Sequence, residues 1–144
     1  MARGPKTVMR SGLETQMKDM LDGGKVEYEY ESETLPYTIP ASERTYLPDF
    51  KFPNGIYIEV KGKLDIDARR KMILVKAQNP DADIRFLFHR NNLLRKRGKM
   101  RYADWCKKEG FPFTFIAPGK TVEQELNWKE QMMEWYDEQG IPDR

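Results

Sequence analysis

Pro53-Asn54-Gly55 separates two stretches of alternating apolar residues, Phe50 and Phe52 before it, and Ile56, Ile58 and Val60 after it. A three-residue hairpin loop favours a type I turn closed by a residue in the left-handed region, and proline, asparagine and glycine suit those places in that order. The turn fixes the register: Phe52 faces Ile56, Phe50 faces Ile58 and Asp49 faces Glu59. Side chains alternate between the faces of a strand. Phe50, Phe52, Ile56, Ile58 and Val60 therefore share a core face, and Asp49, Lys51, Tyr57, Glu59 and Lys61 share the other. A two-residue loop would set Asp49 against Val60 and mix the faces. The hydrophobic pattern thus selects the register that brings two acids together.

The remaining elements follow from periodicity and punctuation. Ser11 starts a helix carrying Leu13, Met17, Met20 and Leu21 at helical spacing, and Gly23-Gly24 ends it. Lys25–Tyr30 alternates as a half-exposed strand. Residues 31–43 are extended without regular structure, with a bend or linker at Pro40-Ala41-Ser42. Arg44–Phe52 and Ile56–Lys61 are the hairpin strands. A helix covers Asp65–Gln78, a central strand Ile84–Phe88, a helix Arg101–Glu109 ended by Gly110, and a strand Phe113–Ile116. Thr121 caps a last helix that runs to about Gln139. The order αβββαβαβα predicts an α/β fold, a mixed central sheet flanked by helices. The 144 residues suit one domain, preceded by a basic flexible arm at 1–10.

Charge is unevenly spread. Residues 121–144 hold seven acids against two bases, net −5, so within a total of +2 the first 120 residues carry +7. A basic body suits a polyanionic partner, and the acidic tail opposes indiscriminate binding. The lone Cys106 excludes an internal disulfide and fits a reducing compartment. No stretch is long and apolar enough to span a membrane, and Met1–Arg10 lacks the apolar run of a secretory signal. A soluble intracellular protein is expected.

The chemistry concentrates on the hairpin. Glu59 and Lys61, two apart on a strand, project the same way at roughly 6–7 Å. Asp49 comes within about 5 Å of Glu59 across the pair. Acids that close repel unless a cation lies between them, and a hard divalent ion such as Mg²⁺ takes one or two carboxylates while keeping several waters. The Val60 carbonyl can add a ligand. Lys61 can orient an attacking water or stabilise charge on a phosphate. An acid-x-Lys pattern alone is common on a solvated strand face and far more often bland than functional; Pro48-Asp49 at this register and Gly62 after the lysine add to the functional reading. Glu14 has two readings: it closes a capping box with Ser11, or it brings another carboxylate to the metal.

Arg90 to Arg101 contains six bases and no acid. Arg90, Arg95, Lys96, Arg97 and Lys99 are candidate phosphate contacts, with binding that weakens steeply in salt; a solvated loop is the plain alternative. Arg69, Arg70 and Lys71 either bind DNA or keep a helix face wet. His89, the one histidine, reads as a surface or rim residue rather than a general base. Cys106 sits in an apolar-aromatic helix beside Trp105 and does not read as a nucleophile. Trp128, Met132, Met133, Trp135 and Tyr136 read as core or dimer packing.

Arg10-Ser11-Gly12-Leu13-Glu14, Pro36 through Ser42, Thr45-Tyr46-Leu47-Pro48-Asp49-Phe50, Pro53-Asn54-Gly55-Ile56 and Glu59-Val60-Lys61-Gly62 together resemble the phage endonuclease I family, Holliday-junction resolvases of the PD-(D/E)xK nuclease superfamily. The resemblance spans roughly residues 10–90. It implies a restriction-endonuclease-like fold, and catalytic positions at Glu14, Asp49, Glu59 and Lys61. It also implies Mg²⁺, with Mn²⁺ as a substitute, and cleavage of branched DNA to leave 5′-phosphates, in the cytoplasm of an infected host cell. A strand-exchanged homodimer is implied too, with residues 40–43 in the bridge and Glu14 serving the partner's site. Beyond about residue 100 the chain departs from the family, ending in an acidic helix where a basic tail is usual. A less selective duplex-nicking nuclease of the same superfamily and a non-catalytic DNA-binding module are the rival expectations.

Overall fold

The Pro53-Asn54-Gly55 turn forms as its residues dictate. Gly55 takes φ +92°, its N–H donates to the Phe52 carbonyl at 3.0 Å, and the Phe52 N–H donates to Ile56 at 2.8 Å. Strands β4 (Phe50–Lys51) and β5 (Ile56–Lys61) then pair Phe50 with Ile58 and Lys51 with Tyr57, the register read from the sequence. Asn54 also ties the turn to the far end of the chain. Its amide nitrogen donates to the carbonyls of Trp135, Tyr136 and Glu138 at 2.8, 3.2 and 2.9 Å, satisfying acceptors that a helix end leaves open.

The computed structural model describes residues 12–39 and 42–139. The basic arm at 1–10, the Ser11 cap, the bend at Pro40-Ala41 and residues 140–144 lie outside them. In chain order the elements are α1 (Gly12–Gly23), β1 (Glu29–Tyr30), β2 (Leu35–Ile39), β3 (Ser42–Tyr46), β4, β5, α2 (Ile66–Gln78), β6 (Asp83–Arg90), α3 (Tyr102–Glu109), β7 (Phe113–Ala117) and α4 (Trp128–Asp137). Five strands form one mixed sheet in the order β1-β4-β5-β6-β7. The β1–β4 and β4–β5 pairs are antiparallel, and β5–β6 and β6–β7 are parallel. β6 is interior, beside the middle strand β5.

Both faces of this sheet are covered. Met17 and Leu21 of α1 and Trp128, Met132 and Trp135 of α4 pack with Phe50, Phe52, Ile56, Ile58 and Val60 on one face. Met72 and Val75 of α2 and Tyr102, Trp105 and Cys106 of α3 pack with Phe86, Phe88 and Phe115 on the other. Alternation along β6 feeds both layers: Ile84, Phe86 and Phe88 go to the α2/α3 side and Leu87 to the α1/α4 side. The face expected to be the polar one is thus a second core, with Tyr57 packed against it.

Four sequence expectations are corrected. Residues 31–43 are partly regular: β2 and β3 pair antiparallel from Leu35↔Tyr46 to Ile39↔Ser42, as a separate two-stranded sheet. The expected strand Arg44–Phe52 is consequently split, because residues up to Tyr46 belong to that ladder and Pro48 has no N–H to offer the next. The expected strand Lys25–Tyr30 pairs only at Glu29–Tyr30, since Lys25 turns out of helix α1 at φ +53°. The last helix starts at Trp128 with Asn127 as its cap, not at Thr121. The intervening segment is held flat against β7 by Gln124, whose amide donates to the Phe115 carbonyl and accepts from its N–H, both at 2.9 Å. That side chain imitates a neighbouring strand on an edge that would otherwise be unpaired.

Candidate active site

Asp49 stands just where the β4–β5 ladder stops. By the register, Pro48 would be the next residue hydrogen-bonded to β5, opposite Val60, and a proline cannot donate. The Asp49 side chain engages the other ladder group of Val60: its Oδ2 accepts the Val60 N–H at 2.8 Å. The Pro48-Asp49 pair therefore has a physical meaning. Proline leaves the Val60 carbonyl without a ladder donor, and the following aspartate is pulled into line with the strand.

From there Asp49 meets acids from other elements. One carboxylate oxygen from each of Glu14, Glu31 and Asp49 lies within 4.8 Å of the others. Glu14 comes from the first turn of α1 and is buried. It accepts a hydrogen bond from the Tyr30 hydroxyl at 2.5 Å. Glu31 follows β1 with φ +48°, and its N–H donates to the Asp49 carbonyl at 2.9 Å. A left-handed conformation at a non-glycine residue is uncommon and here accompanies delivery of a carboxylate to the cluster.

Glu59 lies outside that trio and is held separately. Tyr46, 1% exposed, donates its hydroxyl to Glu59 Oε1 at 2.6 Å. The Nζ of Lys61 lies 3.9 Å from Glu59 Oε2. Lys71 stands over the Tyr46 ring at 5.2 Å, close enough that its charge acts on Glu59. Lys71, read from sequence as a DNA contact or a wetting residue, thus has a place beside the carboxylates.

The electrostatics are those of an overfilled anionic site. Asp49 and Glu59 are 9% and 7% exposed, rather than lying on an open polar face as the sequence pattern implied. Burial, then the charge of Glu59, pushes the Asp49 carboxyl up to about 9, against the opposing hydrogen bond from Val60. Burial likewise raises Glu59, while Tyr46, Lys61 and Lys71 act to lower it. Burial and Glu59 together hold the Tyr46 hydroxyl well above its usual range, so it stays a donor. Oxygen-only donors at this spacing suit a hard divalent cation such as Mg²⁺, and its charge is what would let all of these acids ionise together. Glu14, Glu31 and Asp49 are the groups placed to hold it, with Glu59 adjoining.

Glu14, Asp49, Glu59, Val60 and Lys61 of the sequence-based site are brought together. Glu31, Tyr30 and Tyr46 were missed. Tyr46 lies in the Thr45–Phe50 segment already singled out, but a lone tyrosine carries no spacing rule. Tyr46→Phe is expected to keep the fold, lower turnover about tenfold and raise the Mg²⁺ concentration needed for half-maximal rate, because the displaced Glu59 costs orientation more than charge. A metal titration of the purified variant checks both. The bases Arg70, Arg90, Arg95, Lys96, Arg97 and Lys99 are all exposed, and Arg69 is half-buried. His89 is exposed and Cys106 is fully buried; burial raises its thiol far above the range of a nucleophile. No helix among the described residues is long and apolar enough to cross a membrane.

Known proteins resemble this chain along most of its length. The sequence model of the family described as Phage endonuclease I matches residues 1–134. Endonuclease I of Escherichia phage T7 is 41% identical over 115 residues, 78% of this chain and 77% of the phage protein. Endodeoxyribonuclease 1 of Enterobacteria phage T3 is 42% identical over 105 residues, 72% of this chain and 69% of the phage protein.

Proposed function

Since the chain belongs to the phage endonuclease I family, we propose that this DNA endonuclease resolves four-way junctions and other branched DNA by Mg²⁺-dependent hydrolysis, in the cytoplasm of an infected host cell. The observation that carries the metal-dependent part is the meeting of Glu14, Glu31 and Asp49 within 4.8 Å, with Glu59 raising the charge further. The chemistry Mg²⁺ supplies when bound is neutralisation of the scissile phosphate and acidification of the attacking water. Lys61 positions that water or stabilises the charge that develops on the phosphate. Tyr46 fixes the Glu59 carboxylate. The exposed bases of the 90–101 loop and Arg70 hold flanking phosphates.

The restriction-endonuclease-like fold is proposed on the mixed sheet covered on both faces and on the placement of the acids at the end of β5. Strand exchange is proposed on the β2–β3 hairpin. Its ladder runs through five residue pairs, from Leu35↔Tyr46 to Ile39↔Ser42. Pairing of β2 with the partner's β3 in the same register would be a low-cost route to a dimer. Glu14 would then join the partner's Asp49 with unchanged local geometry. Two sites at fixed separation suit paired nicks across a junction.

A synthetic four-way junction and a linear duplex of the same sequence, each incubated with Mg²⁺ and with EDTA, test this reading. Symmetric cuts near the branch point, at least about tenfold faster than duplex cutting and absent in EDTA, are expected, with a dimer mass by light scattering. Equal cutting of both substrates would replace it with a less selective nuclease.

A further inference from the structure

Three cations from two separate parts of the chain converge on one hollow. Arg69, in the first turns of α2, and Arg95 and Lys99, from the loop between β6 and α3, line a space of about 340 Å³ whose other walls are Leu94, Gly98 and Met100. The loop is folded rather than open. Leu93 bridges to Arg101, the Leu94 N–H donates to the Met100 carbonyl at 2.9 Å, and the Gly98 N–H donates to the Arg95 carbonyl at 3.1 Å. The Nη1 of Arg69 is buried and has no hydrogen-bond partner. Among the described residues no carboxylate pairs with any of these three cations. A withdrawn N–H donor without an acceptor is costly unless one arrives beside it. The hollow shares no residue with the carboxylate cluster.

We propose that this hollow is a nucleotide seat for DNA, taking a phosphodiester on Arg69, Arg95 and Lys99 with the attached deoxyribose against Leu94 and Met100. The inference rests on the nuclease reading but concerns a nucleotide other than the one being cut. The guanidinium fork matches two phosphate oxygens. The apolar walls match the carbon face of a sugar, which a purely electrostatic track does not need. Met100 is 38% exposed, so it is open to such a contact. The remaining bases of the loop extend the cationic surface beyond the hollow, which favours a polymer over a free anion.

Affinity of the full-length protein for a fluorescent duplex in EDTA, measured across a salt series, tests the seat. Arg69→Gln and Lys99→Gln are each expected to weaken binding roughly 5–10-fold and to make the slope of log affinity against log salt shallower by about one. Met100→Ala should weaken it about threefold with the slope unchanged, the signature of an apolar contact. Lys120→Gln, an exposed base outside the hollow, should leave both unchanged. Arg69→Gln binding like the unmodified protein, or Met100→Ala without effect, would overturn the seat. So would dAMP displacing duplex from the unmodified protein but not from Arg69→Gln, which would give the hollow to free nucleotides. Nicking of supercoiled plasmid by the unmodified protein reports separately on the nuclease reading.

Discussion

Glu59→Gln is expected to lower cleavage about 10³-fold while DNA affinity changes by less than about threefold. The substitution keeps the volume of the side chain and a carbonyl oxygen for the Tyr46 hydroxyl, which now donates to Glu59 at 2.6 Å. What it removes is a charge that adjoins Asp49 and faces Lys61 at 3.9 Å. Loss of about 4 kcal/mol of transition-state stabilisation corresponds to that factor. Single-turnover cleavage and binding in EDTA separate the two quantities. A parallel loss of binding would make Glu59 a part of the frame instead of the chemistry.

Asp49→Asn is expected to abolish cleavage and, at pH 8 without metal, to raise the melting temperature by about 3–6 °C. An unfolded aspartate ionises near 3.8, whereas burial and Glu59 push the folded one up to about 9. Between those values the unfolded chain has released a proton that the folded chain retains. Stability therefore falls as pH rises through this window and levels off above it. Asparagine carries no such charge, so the metal-free variant should melt at a temperature much less dependent on pH between 5 and 8. Mg²⁺ should raise the melting temperature of the unmodified protein at pH 8 and leave Asp49→Asn nearly unchanged. Differential scanning calorimetry across pH, with and without Mg²⁺, reads all three. A variant less stable than the unmodified protein at pH 8 would contradict a strained carboxylate.

The hairpin was legible in the sequence because two local rules agree on it. Pro53-Asn54-Gly55 specifies the turn, and the alternation of Phe50, Phe52, Ile56 and Ile58 permits one register. That agreement carried Asp49, Glu59 and Lys61 with it. Contacts between distant segments were not legible. Glu31 joins the cluster only through its left-handed backbone, and no periodicity signals that. Tyr46 and Lys71 reach Glu59 from β3 and α2, which local sequence cannot align. The second buried face was hidden because Tyr57 and Glu59 read as half-polar positions, whereas Phe86, Phe88 and Phe115 of the parallel strands share that face and α2 and α3 cover it. The delayed start of α4 was hidden because Gln124 acts on β7 through its side chain, a tertiary bond that overrides a good capping threonine.

Anomalous diffraction from crystals of the full chain soaked in Mn²⁺ tests the central claim most directly. A peak bounded by the carboxylates of Glu14, Asp49 and Glu31, within reach of the Val60 carbonyl and lost in Asp49→Asn crystals, is the expected result. Ordered density for all of these side chains with no peak among them, from protein that cuts DNA in the same Mn²⁺ buffer, would contradict the account.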